Sequence, residues 1–493
     1  MEISGSGSLG PSGYIKRLNS NLSDLQVQLS TQKKAQTYGG LGNDRDTALR
    51  MRADINSYTG YNNAIKHANI HLSTVQNVLG SLGDIESNSR ADFNGTAMSL
   101  NDGSFVNLKI NAHQSLSDVI NLLNEEISDR YLFAGTKLGD KPVETISNIL
   151  NGQGDRAGLK QVISERKQAD LGPLNNGRLA ISAKGSQVSV AEDGIHDFGI
   201  KLSNVTHAVS GLNVTQATGA LSRVNFDFTG SKIINNDTIT MRLTLPDGAD
   251  FDIELKAKTH GIGNRNGFLI GATNAETTAN FHKSLTEAFD FVVNGEMMAA
   301  SDLVAANDFF TDNPKRVDGP PFDTATAMKA GTELDTMAWY KGDKTIGTER
   351  SSHKVYASKH SAVEVNTRAN EEPLRELVKN LSMMVAEKFD PASKASDAHY
   401  AALKIRITAG LSDDNIKTSV LDLSTELGYK QKYLADLNMR NNSRIAISED
   451  ILFAAEGVDV QDVSAKILAL NTQLETSHRV TSMLSKSHLV NFL

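Results

Sequence analysis

The 493-residue chain contains no cysteine. That absence excludes disulfides, thiolate metal sites and a cysteine nucleophile, and it leaves no redox constraint on the compartment. No apolar run reaches the roughly 18 residues that a membrane span requires. The first thirty or so residues lack a basic segment followed by an apolar core, so no Sec-type signal is expected. The formal net charge is −8, with acidic and basic residues interspersed. Without a basic stripe, nucleic acid is not an expected partner. Neither a P-loop, a G-x-S-x-G elbow nor a Cys/His ligand set is present, so no catalytic residue, cofactor or metal is expected.

Present instead are heptads at both ends. Ile15, Leu18, Leu22, Leu25 and Leu29 recur at steps of three and four, as do Val463, Ile467, Leu470 and Leu474. Stripes of that width suit helix-on-helix packing. Two such seams far apart in sequence predict a chain that returns on itself. The fold class expected is α+β: long terminal helices forming a coiled-coil stem, with a β-rich domain inserted between them.

The segments follow from changes of period. A first helix is expected from about Ser12 to Ala35, then a break at Gly39, Gly40 and Gly42. A second helix of about 45 residues starts near Asp44, far beyond the globular norm. Its seam repeats every seven residues at Met51, Tyr58, Ile65, Leu72 and Leu79, with Ile55, Asn62, Asn69 and Gln76 at the alternate positions. Polar residues in such a seam cost stability but fix register. A short strand is expected at Ser104–Asn111. Ser115 and Asp118 read as a capping pair, opening a helix with Leu116, Ile120, Leu123, Ile127 and Tyr131 on one face.

Beyond residue 175 the period becomes two: Val224, Phe226, Phe228; Ile239, Met241, Leu243, Leu245; then Pro246-Asp247-Gly248 and Phe251, Ile253, Leu255. This is the signature of an antiparallel hairpin. A helix with Phe281, Leu285, Phe289 and Val292 follows, then a loop over Asp312–Asp323 and a strand-like stretch at 336–366. Helix resumes at Pro373 with Leu374, Leu377, Leu381 and Met384, and Pro391 is expected to end it. A further helix carries Ile416, Val420, Leu423, Leu427, Leu434 and Leu437, and the last begins near Val460. The expected divisions are 1–45 and 46–175 for the N-terminal assembly and stem helices and 176–370 for the insertion. Residues 371–455 and 456–493 are the C-terminal stem and assembly helices.

Other strings carry less. Gly5–Gly10 spells a dinucleotide-binding pattern but lacks the preceding strand, and Gly261–Gly267 reads as a loop between strand and helix. His67 and His71 share a helix face without the Glu of H-E-x-x-H. Lys33-Lys34 reads as a solvated helix end.

Particular strings resemble the bacterial flagellin family, which includes filament flagellins and the hook–filament junction protein, hook-associated protein 3. Asp129–Val143, DRYLFAGTKLGDKPV, is similar to the signature that ends the third stem helix of the junction protein. Leu29–Ile55 resembles the loop between the first two family helices, with Gln32 in the glycine position of Ser-Thr-Gly-Lys and Asp44 and Asp46 loosely matching an acidic pair. The C-terminal HRVTSMLSKSHLVNFL resembles the family's amphipathic last helix, and Asn307–Met328 resembles an insertion in alphaproteobacterial members. The resemblance implies export through the flagellar type III apparatus without a cleaved signal, an extracellular location in the flagellum, and a non-enzymatic structural role in motility. It implies termini that order on assembly, with the two terminal seams as the interface. The partners implied are further copies of the chain, neighbouring axial proteins and an export chaperone. The competing expectations are a secreted adhesin or effector with a coiled-coil stalk, or an enzyme housed in the insertion.

Overall fold

The structure is a computed structural model that describes residues 11–217, 222–261, 263–345, 354–412 and 419–490. The fold is α+β with long helices. In chain order, helix α1 (Pro11–Thr31) is followed by a 3-10 segment, Tyr38–Asp44, and by α2 (Arg45–Gly95), α3 (Ser104–Leu123), α4 (Ile146–Asn151) and α5 (Leu159–Leu171). Strands β1 (Leu179–Lys184), β2 (Gln187–Glu192), β3 (Lys201–His207), β4 (Asn213–Ala217), β5 (Arg223–Asp227), β6 (Thr238–Thr244), β7 (Asp250–Lys258) and β8 (Gly267–Leu269) come next. Helices α6 (Asn274–Val292) and α7 (Met298–Phe309) flank a π-turn, and β9 (Lys315–Val317), β10 (Met328–Ala330), β11 (Lys354–Ser358) and β12 (Ser361–Glu364) are short. Helices α8 (Glu372–Ala386), α9 (Lys394–Gly410), α10 (Val420–Glu456) and α11 (Val460–Val490) complete the chain.

Two compact units form. The first gathers Met1–Ile70, Val355–Val363 and Lys430–Leu493, so α1, α11 and parts of α2 and α10 belong to it; the second holds His71–Lys354 and Glu364–Tyr429. In the second unit the C-terminal part of α2 buries Leu72, Val75, Leu79, Leu82, Glu86, Ser89 and Phe93, an unbroken alternation of three and four. That is the knob spacing of a seam that keeps facing one partner surface. The heptad positions expected at Leu72 and Leu79 are both buried, as is Ile65 in the first unit.

The β region folds as two four-stranded sheets, in the orders β1-β2-β5-β4 and β3-β6-β7-β8. All pairings are antiparallel except β7–β8. The expected hairpin is β6–β7, with Thr244 opposite Asp250 and Thr238 opposite Lys256. Helix α6 covers the sheets. Phe281 is fully buried, with the rings of Phe226, Phe228 and Phe268 at centroid distances of 5.1, 5.1 and 5.2 Å. The only tryptophan, Trp339, is buried in the same unit and donates from Nε1 to Phe310 O at 3.2 Å.

Several boundaries differ from expectation. Ser104–Asn111 is helical, not a strand. Val106 and Ile110 alternate with polar residues, but both are exposed; the buried set is Leu108, Ala112, Leu116, Val119, Ile120 and Leu123, a helical period. Ser115 is therefore interior, and Ile127 and Tyr131 lie past the helix end. The first helix stops at Thr31, four residues early, because Gln32 turns into the left-handed region at φ 57°. Helix α8 ends at Ala386, before Pro391, and is buried nearly all round rather than on one stripe. The loop at Asp312–Asp323 contains β9, and the glycine string at 261–267 leads into β8, not a helix. Residues 176–370, expected to be β-rich, also hold α6 and α7. Gly5–Gly10 and Ile416 lie outside the described residues.

The string Arg130–Gly135 turns inward beyond the end of α3: Arg130 is exposed, Tyr131 half-buried, and Leu132, Phe133, Ala134 and Gly135 are buried. Phe133 O accepts from Ala369 N at 3.0 Å, Ala134 O accepts from Asp343 N at 3.0 Å, and Thr367 Oγ1 donates to Leu132 O at 3.2 Å. Gly135 sits at φ 71°, where an added Cβ would lie 2.7 Å from Asp343 Cβ. Gly135→Ala is therefore expected to cost about 2–3 kcal/mol, from left-handed strain and a backbone shift, read as an earlier denaturant midpoint of Trp339 fluorescence.

Burial raises the pKa of Asp343, but donation from Thr345 N (3.0 Å), Thr345 Oγ1 (2.7 Å) and Thr136 Oγ1 (2.9 Å), with the Arg368 guanidinium 2.9 Å away, outweighs it; the pKa falls to about 2. A depressed carboxylate pKa stabilises the fold above the unfolded value and loses that contribution as pH falls through the folded one. Stability is thus expected to drop by about 2 kcal/mol between pH 5 and pH 2 from this group. Asp343→Asn should flatten that limb of the pH profile.

Candidate assembly surface

Helices α1 and α11 run antiparallel against each other within the first unit. All nine seam residues expected from sequence lie on their inward faces: Leu18, Val463 and Leu474 are buried, and Ile15, Leu22, Leu25, Leu29, Ile467 and Leu470 are half-buried. Half-burial is what a single pair of helices achieves, since each covers only one side of the other's stripe.

The connectors at one end of this pair hold each other. Lys34 N donates to Glu456 O at 2.7 Å, and Val458 N donates to Gln32 O at 3.2 Å. Glu456, itself buried, receives Arg52 through two hydrogen bonds of 2.9 and 2.6 Å. This pairing holds the Glu456 carboxyl below its ordinary range and raises the Arg52 guanidinium. Lys34 Nζ reaches Ala454 O at 2.9 Å and Asp44 at 3.3 Å, and Lys33 lies 3.8 Å from Glu456. The lysine pair is a solvated helix end, as expected, with side chains 47% and 42% exposed, and it also ties that end to the start of the α10–α11 connector. Gly457 is required there, because a Cβ would sit 2.5 Å from Phe453 O.

Two seam positions of α2, Tyr58 and Asn62, bond to α10 in this unit. Asn62 Nδ2 donates to Asn442 Oδ1 at 2.7 Å, and Arg444 Nη1 donates to Tyr58 Oη at 3.0 Å. Asn441, buried, donates to Ala357 O of β11 at 2.9 Å. His67 is exposed and His71 half-buried, and no third ligand joins them among the described residues.

What distinguishes this unit is the apolar surface left open. Leu468 and Met483 are each 70% exposed and Phe453 64%. With them are Val480 and Leu484 on α11, Tyr14 and Val27 on α1, and Met439, Ile447 and Ile451 on α10. An open groove of about 670 Å³ runs along α11, lined by Tyr14, Ala469, Thr472, Thr476, Val480 and Leu484. A second, more polar one lies between Asn21, Leu25 and Gln28 of α1 and Lys466, Leu470 and Gln473 of α11. Exposed apolar patches rimmed by polar residues mark contact surfaces. The sequence reading did not single out the α10 stripe. Its signal is the seven-residue repeat of Met439, Ala446 and Phe453, offset from the buried heptad Leu427, Leu434 and Asn441.

Neither a family model nor a curated protein matches this chain.

Proposed function

We propose that the chain is an exported structural subunit of the bacterial flagellum that self-assembles through its terminal helices, in the filament or at the hook–filament junction, and serves motility. The observation that carries the proposal is the combination of a paired α1–α11 seam with an open apolar surface on the same helices. A second copy of the same chain is a self-complementary occupant for such a surface, and a heterologous, non-closing contact propagates as a helical tube. In this reading the long helices form a coiled-coil stem, the β-rich insertion faces outward, and the protein has no enzymatic role. Its further partners are adjacent axial proteins and an export chaperone.

The sequence resemblance supports the same reading at two positions. Gln32, which stands where the family has glycine, adopts φ 57°. That left-handed conformation is the one glycine takes without steric cost. Gly135, closing the resembling Arg-Tyr-Leu-Phe-Ala-Gly string, sits at φ 71° in a space that admits no side chain.

Electron microscopy of purified chain, seeded with filament fragments or in high salt, tests the proposal. Long helical tubes are expected for a filament subunit. A monomer with protease-sensitive termini, bound at filament ends, is expected for a junction subunit. A protease-resistant discrete oligomer would overturn both and return the stalked adhesin.

A further inference from the structure

Four ionisable side chains from four places in the second unit meet in its interior. Lys167 of α5 places its ammonium 2.7 Å from Asp302 Oδ1 of α7 and 2.8 Å from Glu387 Oε2, just past the end of α8. His399 Nε2 of α9 lies 2.5 Å from the other oxygen of Asp302. Asp302 is fully buried, His399 nearly so, and Phe389 stacks edge-on to the imidazole at 5.3 Å. Donor atoms of Asp302, Glu387 and His399 converge within 4.8 Å of one another, but the cation among them is the Lys167 ammonium.

Charge counting sets what such a cluster can tolerate. With Lys167 protonated and Asp302 ionised between the Lys167 ammonium and the His399 ring, the remaining pair is Glu387 and His399. The cluster is neutral when one proton resides on either of them, as imidazolium with carboxylate or as imidazole with carboxylic acid. Removing that proton leaves a net negative charge in the interior, and adding a second leaves a net positive one, each unfavourable in low dielectric. The surroundings are consistent with this arithmetic. Burial, with the nearby Asp302 charge, raises the Glu387 carboxyl above its ordinary range against the pull of Lys167 and His399. Burial opposes ionisation of Asp302, but Lys167 and His399 overcome it and hold that carboxyl low. From α3, Lys109 Nζ donates to Glu387 O; Lys160 and Lys388 are the other charged groups near Lys109.

We propose that Lys167, Asp302, Glu387 and His399 form a proton-sharing pin that joins α5, α7, the end of α8 and α9, and that folding of this unit captures one proton there near neutral pH. The sign follows from linkage. In the unfolded chain histidine releases its proton near pH 6.5 and glutamate near 4.3. Above pH 6.5 the folded state holds the extra proton and the unfolded state does not, so stability falls as pH rises. The pin is tightest at mildly acidic pH and loosens above neutrality.

The test is the pH dependence of the unfolding constant of the whole chain, read by Trp339 fluorescence between pH 6.5 and 8.5. The readout is the difference between variants, so that groups outside the cluster, such as His196 beside Asp193 at 2.8 Å, cancel. Glu387→Gln makes the cluster neutral without a shared proton. It should remove up to a tenfold change in unfolding constant per pH unit relative to wild type, and become the more stable protein above pH 8. His399→Gln leaves Glu387 as the only site for the proton and should retain the dependence. Should Glu387→Gln fail to fold, proton uptake on refolding of the wild-type chain, followed with an indicator dye in weak buffer at pH 7.5, is compared with that of His196→Gln. Uptake of about one proton that survives His196→Gln supports the pin. Parallel pH profiles for wild type and Glu387→Gln, or no uptake on refolding, would overturn it.

Discussion

A chain carrying Leu468→Asp is expected to fold as the wild type does and to form no polymer. Leu468 is 70% exposed on α11, turned away from the seam with α1. A carboxylate there meets water in the single chain, and exposed substitutions of this kind stay within about 0.5 kcal/mol. In an assembled state the same carboxylate would be buried among apolar side chains without a partner, at a cost of several kcal/mol per contact. Repeated at every subunit, that cost stops propagation. Leu470→Asp, two residues on, should act differently, because Leu470 is half-buried against α1 beside Leu25. It should loosen the α1–α11 pair in the monomer, seen as faster proteolysis of both termini, and block polymerisation as a consequence. Neither substitution should move the Trp339 unfolding transition, since that residue belongs to the other unit. Normal polymers from Leu468→Asp, with the protein correctly folded, would remove the open apolar surface from the assembly contact.

The two substitutions also show which part of the site could be read from sequence. A seam is legible because burial imposes a period. Ile15 to Leu29 and Val463 to Leu474 repeat every three or four residues and all turn inward. The hairpin at Ile239–Leu255 was legible for the same reason, with period two and a Pro-Asp-Gly turn between its halves. The open stripe at Met439, Ile447, Ile451 and Phe453 was not, because α10 already carries one heptad and the second is read against it as noise. The strand expected at Ser104–Asn111 failed where two periods compete: Val106, Leu108 and Ile110 alternate, yet only Leu108 is buried, and its true partners are Ala112 and Leu116. The clamp on Arg130–Gly135 was invisible, since its other half, Asp343 to Ala369, lies more than two hundred residues away. The Lys167 cluster was invisible for the same reason. Its members stand alone in sequence, and only the packing of α5, α7 and α9 brings them together.

Phe281→Ala is expected to be the most damaging single truncation in the second unit. The side chain is fully buried, and three phenylalanines from β5, the segment after it and β8 turn their rings toward it. Removing it takes away the transfer free energy of a phenyl ring and leaves a cavity walled by rigid aromatics, which cannot collapse as flexible aliphatic chains could. Truncations of this kind cost about 3–5 kcal/mol, and edge-to-face ring pairs add about 0.5–1.5 kcal/mol each. The loss is a large share of the stability of an ordinary domain. Phe281→Leu keeps most of the volume and should recover about half of it. Both are measured as shifts of the denaturant midpoint of Trp339 fluorescence at constant slope. If that transition stays put while circular dichroism shows the sheets melting first, the β sheets and the helices around Trp339 unfold separately, and the second unit is two cooperative bodies rather than one. A common shift in both signals is the expected result, because α6, which carries Phe281 over the sheets, continues through the π-turn into α7, and α7 packs on α5 and α9.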